Sequence, residues 1–308
     1  MNQHADTADL LAQPAFDFNR LGQHLATIAG AVGANGGSYF AWVKACNKDP
    51  AVAARLDAMD PVVAEAALRL GAGLEIVPDA ADFRAWLEGN AGSWSDLLSP
   101  ALEQSRLTVL DLGSAGSGLA NALAAQDRET AQSLYDALMQ ASGHEVAIGP
   151  WLEKRTIYST DNYISAFDQN ARRNLHLGLD VFVPAGTALS LPLAGTVVQT
   201  MVMNDSLDYG GVLVLEHEWK PGKHFWSLWG HLTHRSARGW KIGDRIAAAT
   251  AFATVGDFEE NGWWIPHLHL QLLRKPYSDF ATAPGVGEEM FAALWPDLFP
   301  DPTVLVVG

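Results

Sequence analysis

The sequence predicts an α+β fold: a mainly helical N-terminal domain over residues 1–150, an antiparallel β domain over residues 151–275, and a C-terminal tail over residues 276–308 that packs on the β domain. Two observations predict this division. Up to about residue 140, the chain is rich in Ala and Leu, and its apolar residues recur at helical spacing. After Pro150 the pattern changes to short alternating or β-branched runs separated by Gly, Pro, Asn and Asp, which is typical of strands and turns.

The composition indicates a globular protein and excludes several function classes. The 308 residues are 48% hydrophobic and 18% charged, which is enough apolar material for a substantial core. A net charge of −15 argues against nucleic acid or an anionic membrane surface as the partner. Cys46 is the single cysteine, so an intrachain disulfide is excluded and cysteine cannot dominate a metal site.

The N-terminus predicts no export signal. It lacks a basic segment followed by a continuous apolar run, and no stretch reaches the roughly 18 consecutive apolar residues of a membrane span. We therefore expect a cytoplasmic protein, with export as the alternative if the N-terminus is incomplete.

Helix start and stop signals support the helical half. Asp49 before Pro50 and Asp60 before Pro61 are typical of an N-cap followed by a proline in the first turn, whereas Gly71 and Gly89 are typical of helix ends. Turns are predicted at residues 33–37 and at 78–79. The helical periodicity is carried by Leu21, Leu25, Ile28, Val52, Leu56, Val63, Ala67 and Leu70.

A glycine-rich motif at residues 108–118 resembles the strand and loop of S-adenosylmethionine methyltransferases. That fold needs several further strand and helix units, and only one more possible strand, at 145–148, precedes the change in pattern. A lone glycine motif is a weak signal. We therefore interpret the segment as a strand, a turn and a helix that is capped by Ser117 or its neighbours.

The β half carries its strands between clear turn signals. Turns are predicted at 208–211 and 221–222, and the tail is expected to be irregular with a short helix near 288–294. The predicted strands span residues 180–183, 196–202, 212–217, 225–229, 245–247 and 268–272.

Histidines concentrate in this half, with seven of the ten between His176 and His269. Residues two apart on a strand share a face, so His267 and His269 project together while Leu268 and Leu270 point into a core. His176 and Asp180 would lie about 13 Å apart on a straight strand, so the chain must bend near Gly178.

A His-x-x-x-Asp pair followed about 90 residues later by His-x-His supplies ligands that suit zinc. A set of two histidines and one aspartate leaves a fourth zinc position for water or a substrate carbonyl, as catalytic sites do. The surplus imidazoles, His231 and one of the pair His267 and His269, could carry protons or stabilise an oxyanion. The pattern predicts a zinc peptidase site.

Six motifs resemble, in this order, the lysostaphin/LytM-type zinc metallopeptidases of family M23, and they span roughly residues 173–273. The resemblance implies that His176, Asp180 and His269 bind Zn²⁺, that His267 is the general base, and that His231 orients water or stabilises the tetrahedral intermediate. It also implies peptidoglycan cross-bridges or glycine-rich peptides as substrate. The motifs read N-L-H-L-G-L-D-V-F-V-P-A-G-T, A-G-T-V, D-Y-G-G-V-L-V-L-E-H, W-G-H-L, G-D-R-I and P-H-L-H-L-Q-L.

The segment from residue 207 through the tail also resembles the variant of this module that is fused to class III aminotransferases. The bulky approach to His-Leu-His, at residues 259–266, departs from the usual small turn and would reshape the substrate groove. Of the aromatic residues, we expect Trp263 and Trp264 nearest the site and Phe225, Trp226, Trp229 and Trp240 in packing. Glu259 and Glu260 are interpreted as solvated loop charges, and His217, His224 and His234 as surface or loop residues.

We therefore predict a zinc-dependent metallo-endopeptidase whose partner is a peptide or peptidoglycan substrate. The alternative is a non-catalytic, zinc-containing binding or regulatory module of a larger enzyme system. The helical half is expected to bind a partner domain or protein, or to occlude the cleft.

Overall fold

The computed structural model describes residues 59–71, 74–98, 107–114, 116–165, 171–205 and 207–306, together with the single positions Lys44 and Ala53. The periodicity predicted at residues 21–28, the turn at 33–37 and the helix start at Asp49 and Pro50 lie outside the described residues. The described α-helices are α1 (Pro61–Gly71), α2 (Ala80–Gly89), α3 (Gly118–Ala124), α4 (Arg128–Ser142), α5 (His234–Arg238) and α6 (Trp295–Leu298).

The strands lie mainly in the second half of the chain, as predicted, and short 3₁₀ turns punctuate the tail. In chain order the strands are β1 (Leu107–Val109), β2 (Val146–Gly149), β3 (Leu175–His176), β4 (Leu179–Phe182), β5 (Ala188–Ser190), β6 (Gly195–Val202), β7 (Gly211–Lys220), β8 (Lys223–Leu232), β9 (Arg245–Ile246), β10 (Ala251–Thr254), β11 (His267–Leu273) and β12 (Val286–Gly287). The α+β class is confirmed.

The start of α1 and the ends of α1 and α2 lie where their sequence signals predict. The Asp60 carboxylate accepts the backbone N–H groups of Val62 at 2.9 Å and Val63 at 3.2 Å, so it caps α1 with Pro61 as its first residue. α1 ends at Gly71 and α2 at Gly89.

The main sheet has eight strands in the order β1-β2-β4-β11-β8-β7-β6-β9. Its neighbours are antiparallel except for β1 and β2, which are parallel and joined by α3 and α4. Ser117 caps α3 by accepting the N–H of Ala120, so the predicted strand, turn and capped helix are confirmed. Strands from both sides of residue 150 share this sheet, and the division into domains stays a prediction.

Both faces of the central strands are buried. In β7, Val212 and Val214 pack in one hydrophobic cluster with α1 and the tail, whereas Leu213 and Leu215 pack in a second cluster with β11 and β8. Alternating residues of a strand point to opposite faces, so the sequence of a strand between two clusters is a continuous run of apolar residues.

The tail packs on one of these clusters and passes beside the histidines. Its strand β12 pairs with β3, so that Val286 lies opposite His176. The buried aromatic residues of the tail join the cluster of α1; they are Tyr277, Phe280, Phe291, Trp295 and Phe299. The short helix is α6, which begins just beyond the predicted segment 288–294, whereas that segment contains a 3₁₀ turn.

None of the helices in the described part of the chain has the length and apolar character that crossing a bilayer requires.

Candidate metal centre

Three short segments bring the predicted metal ligands to one place. His176 ends β3, and Asp180 lies in β4 directly opposite His269 of the antiparallel strand β11. The chain leaves one sheet for another between His176 and Asp180, as predicted. Gly178 stands at this point, where an added Cβ would lie 2.5 Å from His269 Cε1, so only glycine fits the approach of the two segments.

The ligand atoms of these residues converge within a buried cluster. His176 Nε2 lies 3.0 Å from His269 Nδ1 and 3.1 Å from Asp180 Oδ1. His269 Nδ1 lies 3.0 Å from the same oxygen. All three side chains are buried.

The other nitrogen of each ring is occupied by a hydrogen-bond acceptor. His176 Nδ1 donates to the Pro150 carbonyl at 3.0 Å, and His269 Nε2 donates to Gln271 Oε1 at 3.0 Å. The Gln271 amide is itself oriented, because its Nε2 donates to the Pro284 carbonyl at 3.0 Å. These bonds assign the tautomers and turn one unprotonated nitrogen of each ring toward Asp180.

With these tautomers, two imidazole lone pairs and one carboxylate oxygen face one another. A cation that joins the three atoms would stabilise this arrangement. A tetrahedral zinc ion with ligands at about 2.0–2.2 Å places ligand atoms about 3.3–3.6 Å apart, so small shifts from the present 3.0–3.1 Å would let this donor set hold zinc.

The electrostatics keep the His176 ring neutral and the Asp180 carboxylate ionised. Burial, together with the nearby Arg155 charge, lowers the pKa of His176 to about 4. Burial alone would raise the pKa of Asp180, but His176, Arg155 and His267 hold it well below its usual value. These are the protonation states that metal ligands require.

A buried arginine, which sequence reasoning missed, holds the second oxygen of Asp180. Arg155 donates from one terminal nitrogen to Asp180 Oδ2 at 2.6 Å, and its Nε donates to Glu153 at 2.8 Å. Asp180 therefore presents Oδ1 to the histidines. No local pattern marks Arg155 in the sequence, whereas Gln271 could have been found, because it shares the strand face of His267 and His269.

His231 and His267 stand beside the ligands. The centres of their rings are 4.3 Å apart, and His267 Nε2 lies 3.6 Å from Asp180 Oδ1. Each donates its Nδ1–H to a carbonyl, His267 to Ile265 at 2.6 Å and His231 to Asn261 at 2.8 Å, so Nε2 is the free, basic nitrogen of both rings. Burial lowers the pKa of both imidazoles.

His231 also has a strained backbone. Its φ of 60° lies in the left-handed region, which non-glycine residues seldom adopt and which is typical of residues held in place for function. Its own N–H donates to the Tyr209 carbonyl at 2.7 Å, and Gly256 N–H donates to the His231 carbonyl at 2.8 Å. These two bonds hold His231 in the strained conformation.

A cavity of about 450 Å³ opens over the cluster and includes His176, Asp180, His231, His267 and His269 in its wall. Trp264 lines this cavity and Trp263 an adjoining one, as predicted for the aromatic residues nearest the site. Phe225 and Trp229 are core residues. Glu259 is exposed, whereas Glu260 is partly buried and accepts the N–H of His234 at 3.0 Å.

The remaining histidines of this half lie away from the cluster. The interpretation of His217 as a surface or loop residue is wrong: it lies in β7, is buried, and makes hydrogen bonds with the Ala194 carbonyl at 2.9 Å and Ser227 Oγ at 2.7 Å. A buried histidine satisfied in this way is a packing residue. His224 is exposed on β8, and His234 begins α5.

Residues 174–279 match the sequence profile of Peptidase family M23. The resemblance carried by the motifs is therefore confirmed for this segment, whereas the further likeness to modules fused to class III aminotransferases stays a prediction. A comparison with the curated proteins finds no match.

Solved structures of M23-type peptidases are similar to part of the chain. The catalytic domain of lysostaphin, an antimicrobial peptidase from Staphylococcus simulans, is 22% identical with a TM-score of 0.28, over 38% of this chain and 77% of that one. A zinc-containing peptidase from Vibrio cholerae is 24% identical with a TM-score of 0.27, over 33% and 28%. A peptidase M23 described from Pseudomonas aeruginosa is 22% identical with a TM-score of 0.27, over 42% and 43%. The chain thus spans less than half of the latter two proteins.

Proposed function

We propose that the segment matching family M23 makes this chain a zinc-dependent metallo-endopeptidase. In this proposal His176, Asp180 and His269 hold the metal ion, and His267 and His231 act on water and substrate. One observation carries the proposal: the three ligand atoms lie 3.0–3.1 Å apart with the outward nitrogen of each ring committed as a donor. When bound there, zinc supplies a Lewis acid that polarises a peptide carbonyl and acidifies water.

His267 is the proposed general base. Because its Nδ1–H is donated to the Ile265 carbonyl, its Nε2 can accept a proton from the attacking water. Burial lowers its pKa, so the imidazole is unprotonated at neutral pH. The same Nε2 then holds the proton that the leaving amine needs.

His231 is proposed to orient the water. Its Nδ1–H is committed to Asn261, so the neutral ring offers an acceptor at Nε2 and has no second N–H for an oxyanion. Burial also holds its pKa well below the usual value. The resemblance implies two roles for His231, and the geometry favours acceptance of a hydrogen bond from water. Donation to an oxyanion would require that His231 Nε2 first be protonated.

The substrate class is proposed from the resemblance: peptidoglycan cross-bridges or glycine-rich peptides. The experiment measures zinc content, and hydrolysis of a quenched pentaglycine peptide and of purified peptidoglycan, for the unaltered chain and His267→Ala. His224→Ala is the matched control, because His224 is an exposed histidine of the same domain. We expect one zinc ion per chain in all three proteins, with turnover reduced by about 10²–10⁴-fold in His267→Ala alone.

Two outcomes would contradict the proposal in different ways. Stoichiometric zinc without turnover of any peptide would favour the non-catalytic binding or regulatory module. A chain that neither contains zinc nor binds it on titration would contradict both functions.

A further inference from the structure

A second cavity, of about 330 Å³, adjoins the cavity over the candidate metal ligands. Leu123, Leu207 and Trp264 line both cavities, so they form the boundary between them. The second cavity extends between the helical pair α3–α4 on one side and Trp263 and Trp264 on the other. The two cavities therefore share part of their lining.

One wall of this second cavity comes from outside the segment that matches the family. Leu123 belongs to α3, Ala131 belongs to α4, and both helices connect β1 to β2 at the edge of the main sheet. These helices are therefore anchored to the sheet that carries Asp180 and His269, two of the three candidate ligands. A wall supplied by residues 118–142 can give this chain a selectivity that the matched segment does not carry.

The opposite wall is a strained and rigid loop. Trp263 has a φ of 74° and is 47% exposed, which is unusual for so large an apolar residue. Gly262, with a φ of 81°, packs so tightly that an added Cβ would lie 2.2 Å from the Asp208 carbonyl oxygen. The Gly262 carbonyl accepts the N–H of Leu207 at 2.9 Å, which ties the two loops together.

The charged residues around this cavity already have partners. The guanidinium of Arg128 lies 5.0 Å from the centre of the Phe258 ring and 5.1 Å from one of the Trp263 rings, so it bridges α4 to the loop by cation–π contacts. The Asp127 side chain caps α4 by accepting the N–H of Thr130. The surface that remains for a ligand is mainly aromatic and aliphatic.

We propose that this second cavity is a substrate subsite that binds one bulky apolar side chain, aromatic or large aliphatic, of the peptide held at the metal centre. The inference rests on the proposed peptidase function and sharpens its substrate class. The chain then selects a peptide with a Phe-like or Leu-like residue near the scissile bond, in preference to a run of glycines. Glycine cannot use this subsite, because it has no side chain to bury.

The first experiment keeps the protein unaltered. Quenched oligoglycine peptides, each with one glycine replaced by Phe at successive positions, are compared by kcat/KM with the zinc-loaded full chain. Burial of one such side chain predicts a kcat/KM about 10- to 100-fold higher for Phe at a single position than for the all-glycine peptide. Equal values at every position would overturn the subsite.

The second experiment uses one variant that fills the cavity and another that removes part of its wall. Leu123→Trp should abolish the preference for Phe by occupying the cavity, and Trp263→Ala should reduce it about 10-fold. The controls are Leu138→Trp, at an exposed position of α4, and Ile242→Ala, at an exposed apolar position away from the site. Both controls should retain the preference, and an equal effect of test and control would overturn the subsite.

A binding measurement distinguishes failure of the subsite from failure of the proposed peptidase function. The affinity of His267→Ala for the same labelled peptides is measured by fluorescence anisotropy in the presence of zinc. If the unaltered chain cleaves nothing but His267→Ala binds the Phe peptide more tightly, the subsite stands and the peptidase proposal fails. If the chain cleaves all peptides alike, the subsite fails and the peptidase proposal stands. If His267→Ala binds the Phe peptide no more tightly and nothing is cleaved, both fail.

Discussion

The contact between Arg155 and Asp180 leads to a quantitative prediction about stability. The Arg155→Met substitution removes a guanidinium whose side chain is 2% exposed and leaves the carboxylates of Asp180 and Glu153, 4% and 15% exposed, without their cation. Opposite charges about 4 Å apart attract by about 4 kcal/mol at an effective dielectric constant of 20. Removing one partner of a buried ion pair destabilises proteins by about 3–5 kcal/mol, which agrees with that figure.

We therefore expect Arg155→Met to lower the free energy of unfolding by about 3–5 kcal/mol when a chelator removes metal ions. The loss should be smaller in saturating zinc, because the bound cation then balances the charge of Asp180. Urea unfolding followed by tryptophan fluorescence measures both values. Arg172→Met is the control, since its ion pair with Asp161 is exposed, and we expect it to change the free energy of unfolding by about 0.5 kcal/mol or less.

The double variant Glu153→Gln/Arg155→Met tests the cause of this loss. Replacing Glu153 removes one of the two uncompensated charges, while the amide oxygen of glutamine can still accept the N–H of Leu112, which lies 3.1 Å from the carboxylate. The double variant should therefore be more stable than Arg155→Met alone. If Arg155→Met differed from the unaltered chain by under about 1 kcal/mol in chelator, the electrostatic reasoning would be refuted.

Three further predictions concern the metal site and the core. Gln271→Leu leaves the outward N–H of His269 without its acceptor, so zinc affinity should fall about 10- to 100-fold. Competition with a chelating dye measures this affinity. An unchanged affinity would contradict the role of Gln271. Gly178→Ala places a methyl group against His269 and should cost about 1–3 kcal/mol in thermal unfolding and lower zinc affinity, whereas Gly89→Ala, at an open position, should do neither. Burial lowers the pKa of His217 to about 4, below the roughly 6.5 of the unfolded chain, so about 3 kcal/mol of stability should be lost as pH falls from 6.5 to 4. His217→Gln should flatten that part of the plot of unfolding free energy against pH. An unchanged slope would contradict the assignment of this pH dependence to His217.

Local patterns determined the parts of this protein that depend on neighbouring residues. The alternation of side chains along a strand was sufficient to predict that His267 and His269 share a face. The spacing between His176 and Asp180 required a bend at Gly178. Asp60 and Pro61 likewise mark the start of α1, because capping depends only on residues within one turn. The types and order of the candidate ligands were therefore available from the sequence.

Tertiary structure alone decided which distant groups meet these residues. Arg155 reaches Asp180 because its segment pairs with the start of β3, where the Arg155 N–H donates to the Asn174 carbonyl at 2.8 Å, and no periodicity near residue 155 encodes that pairing. His217 was misplaced for the same reason, since only the packing of β7 between two hydrophobic clusters buries its ring. The second cavity depends on α3 and α4 lying opposite Trp263, a contact between segments more than 120 residues apart. Spacing specifies local geometry, whereas burial and long-range partners follow from how whole elements pack together.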